Sequence, residues 1–83
     1  MYLHLGGDRL VLLSQVVAIM EAGSSAMRAY AARAEAEGKL DPCRDGQVHA
    51  YVVTRDRVYA SAISAATLQR RAVLAGRGLL NEG

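Results

Sequence analysis

The stretch from Tyr51 to Arg71, a β-hairpin running into a capped helix, restricts the fold more than any other feature of the chain. In YVVTRDRVYAS, Tyr51 and Val53 alternate with Val52 and Thr54, the period of two expected of a half-buried strand. Thr54, Arg55, Asp56 and Arg57 make a short polar connection, and Val58 and Tyr59 restart the pattern. Two runs this close can be joined only by a tight turn, so they predict an antiparallel hairpin. Ser64 then precedes Ala65, Ala66, Leu68, Gln69, Arg70 and Arg71, where its hydroxyl can accept a hydrogen bond from a free amide of the first helical turn. The order predicted for this part is β, β, α.

Upstream, Met1 to Leu5 alternates as a short strand, Gly6, Gly7 and Asp8 supply a turn, and Leu10 to Leu13 resumes an apolar run. Val16 to Met20 is a second run. Neither is long enough to separate strand from buried helix by period, but the β-branched residues Val11, Val16, Val17 and Ile19 favour strand. Ser24 or Ser25 is placed to cap a helix reaching about Glu37 and stopping at Gly38. Within it Met27, Tyr30, Ala31 and Ala34 form one apolar stripe, while Arg28, Arg33, Glu35 and Glu37 mostly look outward. Asp41, Pro42, Asp45 and Gly46 build a loop. The last helix is expected to end near Gly76, with residues from about 77 to 83 a frayed tail. The fold class expected is α+β, a small antiparallel sheet with two helices.

At 83 residues the chain is read as one domain, 1–83, because smaller pieces would bury too little surface to offset their lost chain entropy. Phe and Trp are absent, and with four Tyr and many Ala the core must be thin. Such a chain gains by burying surface against copies of itself. The lone Cys43 cannot form an intrachain disulfide and suits a reducing compartment. His4, Gly6, Gly7, Asp8 and Arg9 interrupt the first ten residues, against the pattern of a cleaved leader. No apolar stretch approaches the ~20 residues needed to span a bilayer. The cytoplasm is the expected location, with no membrane partner.

Residue patterns for catalysis or metal binding are weak. His4, His49 and Cys43 have no ligand spacing of the structural-zinc kind, so no metal is expected. Ser14, Ser61 and Ser64 lie outside any nucleophile-elbow pattern, and Gly6, Gly7, Gly76 and Gly78 lack the context of a phosphate loop. The reading is a non-enzyme with no cofactor and no small-molecule substrate. Arginine is the one constellation that carries chemistry, since guanidinium groups on a rigid element grip phosphate oxygens at two points and release counterions. The net charge of +2 is mild, but from Thr54 onward Arg55, Arg57, Arg70, Arg71 and Arg77 face only Asp56 and Glu82.

The start (Tyr2, His4, Leu5, Gly6, Asp8), the run Val16 to Ile19, the hairpin strands and the pattern Ser64, Thr67, Leu68, Arg71, Ala72 resemble the bacterial extracellular-matrix regulator family of RemA and RemB, most closely its RemB branch. The resemblance reaches to about Ala72, with a weak middle from Glu35 to Gln47. It implies a small α+β domain similar to LytTR DNA-binding domains, ring-shaped homo-oligomers, and binding of double-stranded DNA that activates biofilm-matrix genes. It also implies DNA-contacting arginines at the entrance to the second apolar run and in the loop before the hairpin. This chain has Gln15, Gly46 and Gln47 there instead. Arg44 in the same loop and His49 beside it are the first substitutes, and Arg70 and Arg71 on an exposed helical turn are the second. Two functions follow: an oligomeric DNA-binding regulator, or a homo-oligomeric structural or adaptor protein that has lost the family's DNA contacts.

Overall fold

The computed structural model describes the backbone of residues 1–82 and the side chains of residues 1–76. It is an α+β fold with two helices and two small sheets. A hairpin of β1 (Tyr2–Gly6) and β2 (Arg9–Leu12) is followed by a single 3-10 turn, Leu13–Gln15, and by β3 (Val16–Glu21). Then come α1 (Ser25–Ala36), β4 (Leu40–Asp41), β5 (Ala50–Thr54), β6 (Val58–Ser61) and α2 (Ala65–Glu82). The second sheet has the order β3-β5-β6-β4, antiparallel except for the β4–β6 pair.

That parallel pair explains how α1 is positioned. β3 and β4 are the two edge strands and run in the same direction, so the chain between them must cross the full width of the sheet. The crossover is α1. Ser24 Oγ accepts from Met27 N at 3.0 Å to start it. Gly38 ends it at φ +71, a left-handed conformation in which Lys39 N reaches Ala34 O at 2.8 Å. The predicted stripe is right at Met27, Ala31 and Ala34, which are buried, but Tyr30 is 46% exposed. Tyr30 lies at the margin of the helix–sheet contact, where the groove beside β3 is left open.

Directly paired residues of antiparallel strands project to one face. Ile19, Val52 and Tyr59 therefore share a face with Ala50 and Ser61, and Ala18, Met20, Tyr51, Val53, Val58 and Ala60 occupy the other. The first face carries the main core. Leu3 and Leu5 of β1, Val11 of β2, Ala50 and Val52 of β5, and Ala65 and Leu68 of α2 form one buried cluster. The second face is covered in part by α1.

The two sheets and α2 are joined by one buried hydroxyl. Ser61 Oγ donates to Leu5 O at 2.8 Å and accepts from Ile63 N at 3.1 Å, with no exposed surface. Ser64 caps α2 as expected, its Oγ accepting from Thr67 N at 3.2 Å. The expected end of that helix near Gly76 is corrected: α2 continues to Glu82. Gly76 has no positive φ, and a glycine in a helix interior costs only about 1 kcal/mol relative to alanine, too little to stop it. The side chains of the expected frayed tail, 77–83, lie outside the described residues.

The β1–β2 connection is a tight turn with Gly6 at φ +100, where a Cβ would also meet Ile63 Cδ1 at 3.4 Å. Leu13, expected in the second strand, belongs to the 3-10 turn instead, and Asp41, expected in the loop, belongs to β4. Replacing Ser61 by alanine strands Leu5 O and Ile63 N and is expected to cost about 1–3 kcal/mol. Ser64→Ala is expected to cost about 1 kcal/mol, because its site is exposed and water replaces the missing acceptor. Urea titrations at fixed protein concentration check both, and a Ser61 cost no larger than the Ser64 cost would contradict this ranking.

Candidate nucleic-acid interface

The loop from Pro42 to Val48 decides where Arg44 and His49 go. Cys43 Sγ closes it locally, its single S–H lying within reach of two acceptors, Asp45 Oδ1 at 3.3 Å and Gly46 O at 3.4 Å. Arg44 lines a concavity with Asp8, Arg9, Asp41 and Asp45. Three carboxylates there outnumber two guanidinium groups, and Arg9 Nη1 is already held by Asp41 Oδ2 at 3.4 Å and Pro42 O at 3.2 Å. A phosphate approaching Arg44 meets surplus negative charge.

His49 lies on the other side of the loop. Its backbone extends the sheet, with Ala22 N donating to His49 O at 3.1 Å and His49 N to Ser61 O at 2.8 Å. Its exposed side chain shares an open concavity with Gly23, Arg28, Gln47 and Tyr51. Arg28, by spacing alone a plain outward charge, is the residue that the sequence does not single out. It meets His49 only through the Ala22–His49 pairing and the first turn of α1, and neither is visible in local spacing. His49 and Tyr51, two residues apart, line the same cleft.

Arg70 and Arg71 belong to the opposite face of the sheet, where α2 packs. Both are exposed. Arg71 Nη1 donates to His4 O at 3.3 Å and so braces β1, whereas Arg70 has no side-chain hydrogen bond or ion pair among the described residues. Gln69 Nε2 donates to Ile19 O at 3.2 Å from the same helix. The four residues singled out in the sequence therefore fall in three places: an acidic concavity, a cleft at the start of α1, and the outer side of α2. Gln15 lies elsewhere again, against the β5–β6 turn with Ser14, Thr54, Arg55 and Asp56.

Other chemistry is accounted for locally. His4 Nε2 donates to Gly7 O at 2.9 Å, Ser61 is buried in the joint described above, and Ser64 caps α2. Among the described residues no group of three or more His, Cys, Asp and Glu side chains is arranged to hold a metal ion. No helix in the described residues is long and apolar enough to cross a membrane.

A search of curated proteins finds no match to this chain. A family profile does match, over residues 2–72: that of the RemA-like family, described as extracellular matrix regulatory protein A-like. The matched span takes in both sheets, α1, the candidate loop and the first turns of α2. The chain belongs to the RemA-like family of extracellular matrix regulatory proteins.

Proposed function

We propose that this protein is a bacterial, cytoplasmic, homo-oligomeric regulator that binds double-stranded DNA to control extracellular-matrix genes, without catalytic activity of its own. A single domain with a net charge of +2 makes too few phosphate contacts to bind well alone. Repetition around an assembly converts weak contacts into useful affinity. The observation that carries the reading is a pair of unlike apolar surfaces on opposite sides of the sheet.

On the α1 side, Ala18, Met20, Met27, Tyr30 and Val53 line an open apolar groove beside the free edge of β3. Met20 is 45% exposed there. On the α2 side, Val73 and Leu74 are 52% and 58% exposed. Two different surfaces on opposite sides support head-to-tail association, which closes into a ring when the rotation per subunit repeats. A bulge between Val16 and Ala18 turns Val17 outward and keeps the β3 edge from acting as a plain strand-pairing template.

For DNA contact, His49 comes first, now with Arg28 beside it, and Arg70 follows. Arg44 and Arg71 rank below them, one for its acidic neighbours and the other for its bond to His4 O. Those same two observations favour the second reading, an oligomeric structural or adaptor protein without DNA contacts. A mobility-shift titration with random-sequence duplex at low salt separates the readings: the regulator shifts it and the adaptor does not.

Light scattering of the wild-type protein at tens of micromolar, an order-of-magnitude working range for association, is expected to give a multiple of the 8.9 kDa chain mass. Met20→Glu puts a charge into the apolar groove and is expected to reduce the mass toward that of the monomer. A monomeric wild type removes the proposal of a ring. Arg28→Ala combined with His49→Ala is expected to weaken duplex binding with assembly intact, and unchanged affinity would remove that cleft from the interface.

A further inference from the structure

The turn between β5 and β6 gathers cations from three segments of the chain. Arg33 of α1, Lys39 just beyond it, and Arg55 and Arg57 of the turn line one open concavity, with Glu37 and Asp56 as its only carboxylates among the described residues. The surplus of two positive charges equals the formal net charge of the entire chain, so the remaining surface is balanced. Glu37 lies 3.9 Å from Arg33 Nε and 3.6 Å from Lys39 Nζ. Among the described residues, Arg55 and Arg57 take part in no ion pair. Arg55, an exposed residue, also borders the adjoining concavity with Ser14 and Gln15.

The turn that carries these arginines is held firmly. Thr54 N donates to Arg57 O at 2.9 Å, Thr54 Oγ1 donates to the same oxygen at 3.0 Å, and Arg57 N donates to Thr54 Oγ1 at 3.1 Å. Tight hairpins usually close through positive-φ residues, and among the described residues no non-glycine has one. The threonine hydroxyl supplies the closure instead. A guanidinium group on a rigid turn loses less freedom when it grips a phosphate than one on a mobile loop.

We propose that Arg55 and Arg57, supported by Lys39, form a contact site for the phosphate backbone of double-stranded DNA. This rests on the DNA-binding reading above and adds to it a phosphate-contact site outside the loop and helix positions already considered. The chemistry of the turn separates DNA from a lipid surface. Binding of a protein element at a membrane interface combines cations with apolar side chains that enter the acyl boundary, and Thr54, Arg55, Asp56 and Arg57 offer none. Each subunit of an oligomer presents one such turn, so the site repeats along a nucleic-acid backbone.

The test compares wild type with Arg55→Ala/Arg57→Ala in duplex titrations across a salt series, using two duplexes of unrelated sequence and measuring oligomeric mass in parallel. The variant is expected to bind about tenfold or more weakly at low salt, equally on both duplexes. Its slope of log affinity against log salt should be shallower by about 0.9 for each phosphate that the variant no longer neutralises. Arg55→Lys/Arg57→Lys keeps the charge and should keep the slope. Arg55→Gln/Arg57→Gln serves if the alanine variant fails to assemble, and failure of both to assemble would overturn the proposal by placing the turn in the subunit contact. A wild type that shifts duplex beside an equal variant overturns this site alone. A wild type that shifts no duplex overturns this site and the DNA reading together. Wild type that binds phosphatidylserine vesicles through these arginines, while duplex binding is unaffected by their replacement, assigns the turn to a membrane and overturns it as well.

Discussion

The hydroxyl of Ser61 is the polar joint at which the parts of this fold meet. It sits at the end of β6, fully buried, and bonds at once to the carbonyl of Leu5 and the amide of Ile63. Three units meet there: the N-terminal hairpin, the four-stranded sheet, and the approach to α2. The hairpin and α2 depend on the contact, because a two-stranded hairpin is marginal in water and the helix must bury its apolar side. With Ser61 holding Leu5 in place, β1 and α2 lie together on Val52 and Ala50, and Leu68 closes the cluster. A hydroxyl so deep in an apolar cluster is tolerable only because it both donates and accepts.

The sheet uses its two faces differently. One is sealed by β1, β2 and α2 into the main core; the other is covered by α1 only in part, since the crossover from β3 to β4 lays a single helix on it. Met27, Ala31 and Ala34 seal the middle, while Ala18, Met20 and Tyr30 remain at an open groove. A core built largely from Ala, Val and Leu leaves little surplus stability in a chain of this length. In the proposed assembly, another subunit covering that groove would add stability and repeat the cationic surfaces.

What could be read in the sequence was what local spacing determines. The hairpin is visible because Tyr51 to Val53 and Val58 to Tyr59 alternate across a short polar gap, and the ends of β5 and β6 lie within two residues of those runs. Ser64 and Gly38 were visible because caps act over three or four residues. β4 was not: two residues have no period, and Leu40–Asp41 is a strand only because Val58 N donates to Lys39 O at 2.9 Å from a distant part of the chain. The candidate site was less legible for the same reason. Loop position pointed to Arg44, whereas its acidic neighbours Asp8 and Asp41 arrive through the β1–β2 turn and β4. In the sequence Arg55 and Arg57 register only as charge, because Arg33 and Lys39 join them only after α1 has crossed the sheet.

The central claim is that several subunits, each weakly basic, act together on one nucleic-acid backbone. The salt dependence of wild-type duplex affinity tests it most directly, because its slope counts the phosphates neutralised. One subunit's turn site holds four cations, which limits a single copy acting through it to a slope of about −3.6. The account predicts a steeper dependence than that, as contacts from neighbouring copies add. A slope no steeper than that single-copy limit, or no binding at low salt, would contradict it.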